Sequence, residues 1–145
     1  MQFNNTDRKL TRSEIASVER ELSLSFPHPL VELFLNHNGG EPEPYVFDDF
    51  DQFISTIVSE TLPLFSDSDR GTAVQTYHSL VLEKALVPKS WFPFAVDGGG
   101  DYFFVDCASG SVYFLDTASY PPVEFKDLNC QLEEFWRKLH REDDA

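Results

Sequence analysis

The sequence predicts an α+β fold: a single domain in which an antiparallel sheet is packed with helices, with an N-terminal helix pair and a C-terminal helix. Three observations carry this reading. A capping signal followed by helical periodicity begins at Thr11. Two apolar, strand-like runs joined by a glycine-containing turn lie in the second half. A helical apolar stripe comes near the end. At 145 residues, with no repeat and no dividing linker, residues 1–145 read as one domain.

Thr11-Arg12-Ser13-Glu14 has the S/T-x-x-E form of a capping box. The threonine side chain accepts from the N–H of Glu14, and the glutamate reaches back. Leu10 and Ile15 hold the two positions of a hydrophobic staple, and Ile15, Val18 and Leu22 recur on one helical face. Phe26-Pro27 is expected to stop this helix, because proline disfavours helical geometry in the residue before it. Pro27 and Pro29 suit the first turn of a second, short helix that buries Leu30, Leu33 and Phe34. Asn36-His37-Asn38-Gly39-Gly40 ends it with residues that tolerate left-handed backbone.

Residues 41–44 read as loop. Residues 45–65 read as strands broken around 48–52, although a short helix over 53–58 satisfies the same pattern. Residues 66–71 have loop composition. A helix is expected over 72–84, with Val74, Tyr77, Leu80 and Val81 turned inward. Residues 91–96, 102–106 and 111–116 read as strands, the last two joined through Ala108-Ser109-Gly110 and apolar on both faces. The final helix is expected over 127–140, with Asp127 as N-cap and Leu128, Leu132, Phe135, Trp136 and Leu139 as its stripe. Residues 141–145 are expected to fray.

Asp and Glu number 25 against 11 Lys and Arg, a net charge of -14. Such a chain repels phosphate backbones and anionic membranes, so neither nucleic acid nor membrane is an expected partner. Two readings of the charge stay open: solubility, and complementarity to a basic protein. Cys107 and Cys130 lack metal or redox spacing and read as reduced, packed thiols, with Cys107 on a central strand. No secretory h-region and no membrane-length apolar run is visible, which points to a cytoplasmic chain, a monomer or weak homodimer.

Little here suggests catalysis. Gly98, Gly99 and Gly100 lead into a strand rather than a helix, and Asp97 and Asp101 flank them, so a phosphate loop does not fit. They read as a hairpin turn needing positive φ, where a valine at Gly99 would cost about 1 kcal/mol if that residue holds it. The aspartates match no calcium loop, so no metal and no cofactor is expected. His28, His37, His78 and His140 sit in no zinc motif. No G-x-S-x-G elbow is present, and a Ser–His–Asp set, which needs no adjacency, stays open. The chain is expected not to be an enzyme.

Phe47-Asp48-Asp49-Phe50-Asp51 mixes carboxylates with large rings. One reading is solvated charge between core aromatics. The other is an interface in which rings anchor and acids steer. The candidate partner-binding residues are Glu41, Glu43, Tyr45, Asp48, Asp49, Phe50, Asp51, Asp97 and Asp101.

The order of these features resembles the Smi/Knr branch of the SUKH superfamily. The matching residues are Ile15 and Glu19 of an I-x-x-x-E helix, the Phe26-Pro27 corner, Leu30 to Leu35, and Asn38-Gly39-Gly40. In the second half they are Trp91 to Ala95, Asp97-Gly98-Gly99-Gly100-Asp101, Gly110 to Phe114, and Phe135-Trp136. Residues 45–88 match little beyond length and character, and Phe26 stands where the family's corner has leucine. The resemblance implies helices packed on an antiparallel sheet. It also implies a binding platform: in bacteria an immunity protein that neutralises a cognate toxin, often a nuclease. The charge of -14 fits a basic toxin domain as that partner, bound through an acidic surface. The alternative the resemblance implies is a regulatory adaptor with a non-toxin partner. It makes Asn38, Gly39, Gly40, Gly98, Gly99 and Gly100 structural turns.

Overall fold

The structure, a computed structural model, describes residues 1–117 and 124–142. The chain runs through β1 (Gln2–Asn4), α1 (Arg12–Leu22), α2 (His28–Asn36), β2 (Glu41–Glu43), β3 (Val46–Asp49), β4 (Ile54–Thr61), α3 (Ala73–Tyr77), β5 (Trp91–Asp97), β6 (Tyr102–Asp106), β7 (Ser111–Asp116), β8 (Glu124–Gln131) and α4 (Leu132–Lys138). A 3₁₀ turn over Phe50–Gln52 joins β3 to β4, and α3 continues as π-helix over His78–Glu83. Strands β3 to β8 form a six-stranded antiparallel sheet in sequence order, and β1 pairs with β2 in a separate two-stranded ribbon. The α+β class is as the sequence predicts.

The helices start where local chemistry says. Thr11 and Glu14 make the full capping box of α1, and Thr72 with Gln75 makes another for α3. Such caps contribute about 1 kcal/mol each. The stop of α1 is a correction. The helix ends at Leu22, with Ser23 in left-handed backbone (φ 56°), before Phe26-Pro27 is reached. The corner still matters, because the carboxylate of Glu19 accepts from the N–H of Phe26 at 2.8 Å.

Two further corrections concern strands. Residues 41–44 are not simply loop: Pro42 lies opposite Phe3 in the β1–β2 ribbon. The helix expected from Asp127 begins at Leu132, because residues 124–131 pair with β7 instead. Asp127 caps no helix; its side chain accepts from the N–H of Asn129 at 2.8 Å inside the strand. The short helix weighed over 53–58 is absent, since those residues lie in β4 and the turn before it. Cys107 sits just past the end of β6 rather than on it, its N–H donating to the carbonyl of Ser90 at 2.7 Å. Residues 143–145 of the expected tail lie outside the described residues.

The core is aromatic. Phe92 on β5 meets Phe26, Phe34 of α2 and Tyr77 of α3. Phe103 on β6 meets Phe47, Phe94 and Phe135 of α4. Each fully buried ring contributes about 2 kcal/mol of transfer free energy. Trp91 alternates to the other side of β5 from Phe92. It stacks on Tyr113 at 3.9 Å between ring centroids. Both thiols are free, and burial pushes Cys107 up to about 12 and Cys130 up to about 11.

Two turns fix the chain path. The side chain of Asn38 is buried; its amide donates to the carbonyls of Arg8 and Phe65, each at 2.9 Å, and accepts from the N–H of Leu64 at 2.8 Å. At the glycine turn, Asp97 Oδ1 accepts from the N–H groups of Gly99 and Asp101 at 2.9 and 2.7 Å. The positive φ falls at Gly100 (90°), which corrects the expectation placed on Gly99.

Replacing Asn38 with Ala would leave three backbone groups unpaired. The expected loss is about 3 kcal/mol, read by denaturant unfolding. Gly100→Ala should destabilise by about 1 kcal/mol while Gly99→Ala is close to neutral. Equal melting temperatures for wild type and Gly100→Ala would contradict the turn assignment.

Candidate functional site

The candidate residues gather around the β3–β4 hairpin, in three neighbouring hollows rather than one continuous patch. Asp48, Asp49, Phe50 and Asp51 line the first, closed on its far side by Leu128, Asn129 and Lys138. Glu41, Glu43 and Tyr45 line the second with Ile57 and Val58 of β4. Asp97 and Asp101 line the third beneath Phe53, with Asp116 and Lys126. Register explains the grouping. Pairing of β3 with β4 sets Asp48 opposite Ser55, and pairing of β4 with β5 sets Val58 opposite Asp97.

These carboxylates differ in what they are free to do. Asp97 is buried, and its Oδ2 accepts from the Thr56 hydroxyl at 2.9 Å, so it organises the turn. Asp101 accepts from both the N–H and the hydroxyl of Thr117 at 2.8 Å. Glu41 accepts from the Asn5 amide at 2.7 Å and Glu43 from the Asn4 amide at 3.3 Å, holding the β1–β2 ribbon. Asp49 accepts from Gln52 at 2.8 Å. Asp51 is exposed, and Phe50 beside it is 75% exposed.

One pairing was invisible in the sequence. His140 Nε2 lies 2.5 Å from Asp48 Oδ2, across 92 residues, and the backbones of His140 and Val46 exchange two hydrogen bonds at 3.0 Å. Ser55 donates to the other oxygen of Asp48 at 2.7 Å. The three residue types of a hydrolytic triad therefore meet, but in the order Ser–Asp–His. The serine proton faces a carboxylate, not an imidazole, and His140 Nδ1 lies 2.8 Å from the carbonyl of Arg141, so the Ser55–Asp48–His140 contacts differ from those of a base-activated hydroxyl. The hydrogen bonds from Ser55 and then His140 hold the Asp48 carboxyl below the usual carboxylate range.

Sequence reasoning missed Phe53. It is 91% exposed and holds left-handed backbone (φ 59°, ψ 39°), a conformation that costs a non-glycine residue about 1 kcal/mol. A phenylalanine in a strand-like run reads as core, and only the turn geometry places it outside. A separate, more apolar hollow of about 350 Å³ lies between β1, α2 and α4, lined by Phe3, Leu33, His37 and Trp136 among others. Burial there lowers the pKa of His37.

Among the described residues, no group of three His, Cys, Asp or Glu side chains is placed to hold a metal ion. No helix among them is long and apolar enough to cross a membrane. The family model described as SMI1 / KNR4 family (SUKH-1) matches residues 9–138. No curated protein matches the chain.

The Asp48 interaction carries a pH signature. A carboxyl held low in the folded state stabilises fully above its unfolded pKa, and that stability is lost as pH falls through the lowered value. Asp48→Asn should therefore melt below wild type at pH 7, and the gap should shrink once pH drops below about 4. A gap that persists undiminished at the lowest pH where both fold would refute the charge-linked role.

Proposed function

The chain belongs to the SMI1 / KNR4 family, and from that premise we propose that it is an immunity protein which binds a cognate bacterial toxin and blocks it by occupancy. The observation that carries this reading is the end of the β3–β4 hairpin, where Phe50 stands 75% exposed between Asp49 and Asp51. Exposed large rings rimmed by like charges are what a recognition surface needs: area to desolvate at the centre and a field to orient the encounter. The chain's charge of -14 suits a toxin that must itself be basic to reach a phosphate backbone, as a nuclease is. Such a protein works in the cytoplasm of the cell it protects.

The roles divide among the candidate residues. Asp49 and Asp51 supply the steering charge, and Phe50 supplies contact area. Glu41, Glu43 and Tyr45 extend the acidic rim along the β1–β2 ribbon. Asp97 and Asp101 act on the partner through their charge, since their oxygens already hold the glycine turn and Thr117.

Where a toxin gene neighbours the gene of this chain, co-expression with that toxin's domain should restore growth. The double variant D49N/D51N, with an unchanged melting curve, should associate with that domain several-fold more slowly at low salt and show a shallower salt dependence. A folded wild-type chain that gives no protection, or that is purified from its host bound to a regulatory protein, would reverse the assignment in favour of an adaptor.

A further inference from the structure

We propose that Phe53 is a preformed anchor that inserts into an apolar cleft on a basic protein partner, a cleft rimmed by lysine and arginine side chains. This rests on the binding role above and goes further, fixing where the partner is gripped and what surface it must present.

Nine of the 14 phenylalanines are buried, yet Phe53 is 91% exposed and Phe50 75%. The backbone at Phe53 is left-handed, at φ 59°. Glycine or asparagine would fill that position more easily and would place no ring in water. A bulky apolar side chain kept at an unfavourable backbone position, with almost no contact to its own fold, stabilises nothing in the isolated chain. Its use lies in contact with another molecule.

The turn that carries it is held from outside the hairpin. Gln52 Nε2 donates to Asp49 Oδ2 at 2.8 Å and to the carbonyl of Asp127 at 2.7 Å. Lys126 Nζ donates to the carbonyl of Gln52 at 2.5 Å. The residue before Phe53 is thus bonded to β8, and little backbone ordering is left to be done on binding.

Charge selects the partner. Asp49 and Asp51 line one hollow beside Lys138, and Asp97, Asp101 and Asp116 line the hollow beneath Phe53 beside Lys126, so aspartates outnumber ammonium groups in both. An acidic protein or a phosphate-bearing surface meets repulsion here. A cleft with an apolar floor and a basic rim fits both the ring and the field.

The test places a photocrosslinking benzoylphenylalanine at position 53 of the full chain, and separately at position 82, where Leu82 is also exposed. The protein captured in the native host is identified, purified and titrated against wild type, Phe53→Tyr and Phe53→Gly. The proposal expects capture from position 53 and not from 82, and a basic captured protein. It expects near-native affinity for Phe53→Tyr and at least tenfold weaker binding for Phe53→Gly, which should melt at or above the wild-type temperature. Equal affinity for Phe53→Gly, an acidic captured protein, or no crosslink at 53 overturns it. So does a clear drop in the melting temperature of Phe53→Gly, which would make the ring a structural element. A basic partner that is not a toxin, still dependent on Phe53, would sink the immunity reading and leave the anchor standing. A toxin bound equally well by Phe53→Gly would do the reverse.

Discussion

A buried amide must find partners for its hydrogens and its oxygen, or it costs the fold more than it contributes. Asn38 meets that demand with three separate stretches of chain, at Arg8, Leu64 and Phe65. Its own carbonyl accepts from Asp7. The segment before α1, the end of α2 and the segment after β4 are thereby fixed to one point. Gly39 and Gly40 follow directly because the chain must turn tightly there. A Cβ on Gly39 would lie 3.0 Å from Pro63, and one on Gly40 would lie 2.9 Å from Thr6. The N-G-G sequence is a joint whose polar and steric requirements are met together.

The scarce cations serve the same frame. Arg70 bridges Asp7 and Glu60, at 3.4 and 3.3 Å, and so links the N-terminal segment to β4. Arg8 reaches Glu14 and Asp67 at 2.9 and 3.3 Å while lying over the ring of Phe65. Exposed pairs such as Arg8–Asp67 add little stability individually. Their larger consequence is distributional. Arg8 and Arg70, two of the 11 Lys and Arg residues, are spent on the N-terminal side, while at the hairpin end the aspartates outnumber Lys126 and Lys138.

What was legible in the sequence was local. The Thr11–Glu14 box, the β6 and β7 strands and the turn between β5 and β6 are specified by neighbours within a few residues, and they stand where the sequence places them. The failures are non-local. β1 and β2 are three residues each and exist only through each other, so neither has a pattern long enough to read. In residues 124–131 the period of two at Leu128 and Cys130 runs straight into the helical stripe of Leu132 and Phe135, and the stripe absorbed it. Asp48 was legible as an acid but not as the partner of His140. Phe50 was legible as part of an acidic–aromatic run, whereas the exposure of Phe53 follows from a backbone conformation that composition does not announce.

The bridge between His140 and Val46 has a consequence for how the protein behaves in company. An outermost strand with unpaired N–H and C=O groups is a template on which a strand from another molecule can grow, and repetition of that step builds fibrils. At Val46 on β3 both backbone groups are taken by His140, in the segment that follows α4. At the turn that follows, Gln52 is bonded across to β8. The sheet thus closes part of its rim with its own chain, which leaves fewer places for its copies to stitch together.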